Sequence, residues 1–183
     1  MPDRLWTIGH STRPIDEFLT LLKVYGIRQL VDVRTVPRSR HNPQFIREAL
    51  ALSLATADVN YQHSSQLGGL RKPRRDSINL GWRNASFRGY ADYMQTDEFW
   101  SALEELTAYS RKQKTAIMCA EAVPWRCHRS LIADALLANQ WEVYHILSGA
   151  DAKPHQLTSF ARIIDKQLWY PEPDEPSSVP NLF

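Results

Sequence analysis

The chain has 183 residues, 22 basic and 20 acidic side chains, 43% apolar residues and two cysteines; this bounds it to one ordinary domain of about 100–200 residues and excludes a disulfide framework as its support. No segment approaches the roughly 18 apolar residues of a membrane span, and Met1-Pro2-Asp3-Arg4 lacks a signal-peptide apolar region, so a cytoplasmic protein with no membrane partner is expected. The near-neutral total conceals a segment, 34–88, with ten basic and three acidic side chains, a pattern that either attracts phosphate-bearing ligands and nucleic acid or merely solvates a face.

In chain order, Leu5-Trp6-Thr7-Ile8-Gly9 predicts a short buried strand. Ser11-Thr12 then reads as a helix cap, with Ile15, Phe18, Leu19 and Leu22 at helical spacing, and Gly26 ends that helix. Gln29 to Arg34 predicts a second strand. A loop rich in Pro and Arg follows, then a helix carrying Phe45, Leu50, Leu52 and Leu54, and a strand over Val59–Gln62. This alternation of strand and helix opens a parallel sheet. From His63 to about Ser86 the periodicity fails, and Gly68-Gly69 with Arg71-Lys72-Pro73-Arg74-Arg75 mark a long basic loop of the functional or disordered kind. A helix from Thr96 or Asp97, with Phe99, Trp100, Leu103 and Leu106 inward, precedes a strand over Thr115–Cys119, a helix over Cys127–Asn139 and a strand over Trp141–Ile146. Residues 151–183 predict a helix near Pro154–Lys166 and a proline-rich tail from Pro171. The expected fold is α/β: a core over 1–150 with a loop insertion at about 63–88 and a mostly parallel open sheet of about five strands, helices lying on both faces.

In such sheets the ligand crevice lies beyond the carboxyl ends of the strands, where this chain places Gly9-His10-Ser11, Asp32, Arg34, His63, Cys119, Glu121, His145 and Ser148. The strongest local feature runs from Cys119 through Glu121 and Pro124 to Cys127-His128-Arg129. A thiol at a helix N-terminus near Arg126 and Arg129 is favoured as thiolate, so Cys127 is a candidate reactive thiol, while Cys119 fits equally a packed core position. Glu121, if partly buried, becomes a candidate acid/base or nucleophile. Gly9 lets the chain turn and project His10; His10 and His128 are candidate proton carriers, each with a structural alternative. Asp32 and Arg34 point to the same side and serve either as a structural pair or at the site.

Cys and His ligands also suit zinc, with His10 and Glu121 available to complete four. The spacing matches no finger pattern, and neighbours such as Cys127 and His128 inside a helix diverge by about 100°. No metal is therefore assigned, and the cofactor stays open. Ser11, Asp32, Arg34, Gly68, Gly69, Arg71 and Arg129 are candidate substrate-binding residues. Trp82, Phe87 and Tyr90 interleave with cations in the manner that suits stacked bases and phosphates.

Thr7-Ile8-Gly9-His10-Ser11, Val31-Asp32-Val33-Arg34 with Pro37 and Ser39, Leu67-Gly68-Gly69, and Cys119-Ala120-Glu121 through Pro124 to Cys127-His128-Arg129 resemble the bacterial and archaeal family catalogued as domain of unknown function 488. The resemblance covers about residues 5–147. It implies a single cytoplasmic α/β domain with a site at the motif residues, and it implies no reaction. Two readings follow: an enzyme, hydrolase or transferase, acting on a phosphate-containing substrate such as a nucleotide or nucleic acid; or a non-catalytic nucleic-acid-binding module whose cysteines are structural.

Overall fold

The computed structural model describes residues 3–173. The chain forms, in order, β1 (Arg4–Gly9), α1 (Ile15–Val24), β2 (Gln29–Asp32), α2 (Arg47–Thr56), β3 (Asn60–His63), α3 (Ala85–Tyr93), α4 (Asp97–Lys112), β4 (Thr115–Cys119), α5 (Arg129–Ala138) and β5 (Glu142–Ile146). Three short strands follow: β6 (Lys153–Pro154), β7 (Arg162–Ile164) and β8 (Gln167–Trp169). The main sheet has six strands in the order β3-β2-β4-β1-β5-β6. The first five are parallel, and β6 adds an antiparallel edge. The fold is thus α/β as expected, with one more strand than the periodicity predicts.

The order of strands explains the two layers. From β1 the chain moves in one direction through β2 to β3, and from β3 it returns through β4 to β5. Parallel crossovers are right-handed, so reversing direction puts the helices on the opposite face. One face accordingly packs α1 and α2, through Phe18, Leu22, Leu50 and Leu54, on Ile8, Leu30, Ala116 and Met118. The other packs α3, α4 and α5, through Tyr90, Phe99, Leu103 and Leu131, on Leu5, Val31, Ile117 and Val143. Alternate residues of each strand supply the two cores, as the pleat requires. Loops after β1 and β2 leave toward one face and the loop after β4 toward the other, so the crevice opens around the end of β4.

Several boundaries differ from the sequence pattern for physical reasons. Ser11 and Thr12 lie in the turn after β1, with Ser11 at φ 48°, and α1 starts behind Pro14 without a side-chain cap. Leu52 faces solvent at 71% exposure, because α2 is short and only Leu50 and Leu54 reach the core. The expected cap at α4 holds, since the Thr96 hydroxyl accepts the Phe99 amide at 3.3 Å. Residues 64–84, apart from the single turn Ser65–Leu67, are irregular but pinned. Asp92 of α3 accepts hydrogen bonds from the Arg74 amide, the Ser77 hydroxyl and the Asn79 side chain, and the Tyr90 and Tyr93 hydroxyls donate to the Leu67 and Gln66 carbonyls.

The helix expected over 154–166 is replaced by strands. Leu157, Ile163 and Ile164 have helical spacing yet all three are exposed. Asp165 and Lys166 take left-handed backbone, with φ of 50° and 66°, which closes a two-residue hairpin between β7 and β8. Leu168 and Tyr170 then pack into the core against α5. The proline-rich tail lies from residue 174 onward outside the described residues. Among the described residues no helix is long and apolar enough to cross a membrane.

Candidate functional site: a cysteine and histidine cluster in a cleft

Glycine at the end of β1 brings the crevice walls together. A Cβ on Gly9 would stand 1.8 Å from the Glu121 carbonyl oxygen, so no larger residue allows the β1 end to lie against the loop after β4. The ladder continues beyond the strands, with the His10 amide donating to Cys119 O and the Ser11 amide to Ala120 O, both at 2.9 Å. The loop then passes through a single turn, Pro124–Arg126, and enters α5.

That entry sets the geometry of the cluster. Cys127 is extended (φ −138°, ψ 145°) and His128 is the cap residue (φ −57°, ψ −13°), so neither lies inside the helix and their side chains need not diverge. The Cys127 sulfur sits 3.7 Å from His128 Nδ1 and accepts the Arg129 amide at 3.5 Å. Cys119 Sγ, Cys127 Sγ and a His128 ring nitrogen all lie within 4.8 Å of one another. His128 Nε2 is 3.0 Å from the Val33 carbonyl. A carbonyl can only accept, so Nε2 carries a proton, and Nδ1 is the ring nitrogen turned toward the Cys127 sulfur. The hydrogen bond from the Cys119 thiol holds the Cys127 thiol well below its usual range against the opposing effect of burial, with help from His128 and Arg129. The same bond and burial push Cys119 up.

A cleft of about 440 Å³ opens over this cluster, and Arg34, Arg38, Gly69, Phe87, Glu121 and Arg126 also line it. Arg38, Glu121 and Arg126 are exposed. Glu121 therefore faces the cleft without the burial that the sequence pattern suggested. Its carbonyl accepts Arg129 Nη2 at 2.6 Å.

The other expected residues divide into separate groups. Asp32, Arg34 and His10 meet on the α1/α2 side. Asp32 accepts from the Arg34 amide, Nε and Nη2, and from the Tyr61 hydroxyl at 2.8 Å. His10 is stacked on Phe45, donates Nδ1–H to the Ser11 carbonyl at 2.8 Å, and points Nε2 at Arg34 Nη1, 3.4 Å away. It does not line the cleft. Three arginines expected to bind substrate are engaged by the protein itself. Arg34 is tied to Asp32, Arg71 bonds to the Gly68 and Gln66 carbonyls and covers the Tyr93 ring, and buried Arg129 reaches Thr7 and Glu121 O. Gly68 packs under Thr35 and Gly69 against the His128 ring.

Sequence reasoning missed the cleft residues Arg38 and Thr35. It also missed a buried chain on the α5 face. The Thr7 hydroxyl donates to His145 Nδ1, His145 Nε2 to His155 Nδ1, and His155 Nε2 to Asp134, which also accepts from Tyr170. His145 at a strand end was the only visible signal.

These histidines make stability depend on pH. Burial pushes His10 down to about 4, and Arg34 assists; burial, His155 and Arg129 push His145 down to about 3. In the unfolded chain both titrate near 6.5. Below that pH the unfolded chain binds protons that the folded chain refuses, so stability is complete above about 6.5 and falls as the pH drops toward 4. Urea unfolding at about pH 7 and about pH 5 should show a loss on the order of 1 kcal/mol per histidine, and His10→Phe should remove part of it. A midpoint constant across that window would contradict this assignment.

A family model described as domain of unknown function DUF488 matches residues 14–136. The matched span includes Asp32, Arg34, Gly68, Gly69 and the whole loop from Cys119 to Arg129, and it begins after Gly9-His10-Ser11. No curated protein and no solved structure matches the chain.

Proposed function

The chain belongs to the family described as domain of unknown function DUF488, and from that premise we propose that it is an enzyme acting on a phosphate-bearing substrate, a nucleotide or a nucleic acid end, bound in the cleft at the end of β4. The observation that carries this reading is the convergence, in one opening, of a cysteine and histidine cluster, a carboxylate and two exposed cations. The cluster is the reactive centre. Glu121, exposed on the cleft wall, serves as acid/base, and Arg38 and Arg126 meet the phosphate, in place of the arginines that the fold has already engaged. Phe87 offers an aromatic face for a base. A volume of about 440 Å³ lies within the range of small-molecule sites, about 300–1,000 Å³.

Titration calorimetry with nucleoside mono- and diphosphates and short oligonucleotides tests the binding half of the proposal. The expected result is binding by at least one phosphate-bearing compound, weakened about tenfold or more in Arg38→Ala/Arg126→Ala, because each lost charged contact is worth roughly 1.5 kcal/mol or more. Equal affinity in the double variant would remove the cleft from the account. Exposed Arg40, Lys72, Arg75 and Arg83 also favour a broader nucleic-acid surface, which would show as a steep salt dependence unaffected by Glu121→Gln.

A further inference from the structure

We infer that Cys119, Cys127 and His128 form a binding site for a thiophilic divalent cation, zinc above all, with its fourth position open to the cleft. The inference rests on the placement of the reactive centre in the cleft proposed above and names what that centre holds. Two thiols and one imidazole are the donor set of zinc sites that keep a place for water or substrate. Tetrahedral bonds of about 2.3 Å to sulfur and about 2.0 Å to nitrogen put neighbouring ligand atoms about 3.5–3.8 Å apart. Cys127 Sγ and His128 Nδ1 stand at 3.7 Å, with Cys119 Sγ close by.

Two independent features favour a metal over a hydrogen-bonded trio. The first is the outer partner of the imidazole: His128 Nε2–H donates to the Val33 carbonyl, the arrangement that fixes a ligating histidine with its other nitrogen bare. The second is Gly69. A Cβ there would stand over the imidazole face, 2.5 Å from His128 Nδ1 and 2.8 Å from Cγ, so only glycine lets this loop lie flat on the ring and hold the tilt with which Nδ1 meets the sulfurs. The Arg129 amide and the N-terminus of α5 offset the negative charge of two thiolates. The expectation that helical neighbours cannot share an ion fails here because the helix starts at Arg129, two residues later than the pattern suggests. The fourth position faces the cleft, where water or a phosphoryl oxygen can complete the tetrahedron.

The test uses the full chain, freed of metal under reductant and titrated with Co(II) and then Zn(II). One Co(II) per chain is expected, with thiolate-to-cobalt absorption and strong tetrahedral bands in the visible. Zinc should displace the cobalt and shield both thiols from a thiol reagent. Cys119→Ser or Cys127→Ser should reduce the sulfur absorption, and His128→Gln and Gly69→Ala should each weaken zinc at least tenfold. Should a cysteine variant fail to fold, the wild-type thiol protection and Gly69→Ala still decide. Protein that stays colourless in excess Co(II), or zinc affinity unchanged in both His128→Gln and Gly69→Ala, overturns the inference. Phosphate-compound binding without metal uptake would end the metal assignment and leave the cleft reading standing, while metal uptake without such binding would do the reverse.

Discussion

Asp32→Ala is expected to cost about 3–5 kcal/mol of folding stability, the range seen when one partner of a buried ion pair is removed. Asp32 is fully buried and Arg34 is 5% exposed. The carboxylate accepts three separate N–H groups of Arg34, one backbone and two side-chain, together with the Tyr61 hydroxyl. Its removal strands the Arg34 guanidinium, 5% exposed, without the carboxylate that pairs it. The loss is not the worth of the pair, since desolvating two charges offsets most of their attraction. Asp32→Ala/Arg34→Met should therefore recover a large part of the stability in urea unfolding. A single-variant loss below about 1 kcal/mol would mean that Arg34 relaxes into the cleft. The prediction matters for function because Arg34 lines the cleft, and its tie to Asp32 is why the proposal turns to the exposed Arg38 and Arg126.

Much of the architecture could be read from spacing. The buried strands β1, β2, β4 and β5 have flanking polar residues that mark the carboxyl ends, and the α4 stripe announces itself through Thr96, Phe99, Leu103 and Leu106. Helix α3 escaped because it packs Gly89, Tyr90, Ala91 and Asp92 inward, a face too small and too polar to look amphipathic. The hairpin of β7 and β8 escaped for the opposite reason: Leu157, Phe160, Ile163 and Ile164 imitate a helical stripe, while the left-handed backbone at Asp165 and Lys166 is invisible in side-chain hydropathy.

At the candidate site, the sequence singled out the loop from Cys119 to Arg129, whose interior geometry differs from the pattern. Cys119, Cys127 and His128 were singled out, but their meeting depends on where α5 begins, one or two residues that periodicity does not resolve. The cations were the least legible part. Charge alone does not tell a free arginine from one spent on a carbonyl or a carboxylate, and Arg34, Arg71 and Arg129 are all spent. His10 has the right position in the chain but lies on the Phe45 side of β1, because successive residues of a strand face opposite ways.

The second large effect concerns chemistry. If the cluster is the reactive centre, then Cys127→Ser abolishes turnover whether the sulfur attacks or ligates, and Glu121→Gln, which keeps size and hydrogen bonding but removes the proton acceptor, lowers it by about 10²–10⁴, the usual contribution of a general acid or base. Glu121 is exposed and its carbonyl, not its carboxylate, meets Arg129, so the variant should fold as the parent does. The decisive measurement is turnover of nucleotides and short oligonucleotides, followed by release or transfer of phosphate-bearing product, in the parent, Cys127→Ser and Glu121→Gln, each verified as folded by thermal unfolding. The account predicts at least one substrate consumed by the parent, none by Cys127→Ser, and consumption at least a hundredfold slower by Glu121→Gln. Full turnover in both variants, or no phosphate-bearing compound consumed by the parent, would contradict it.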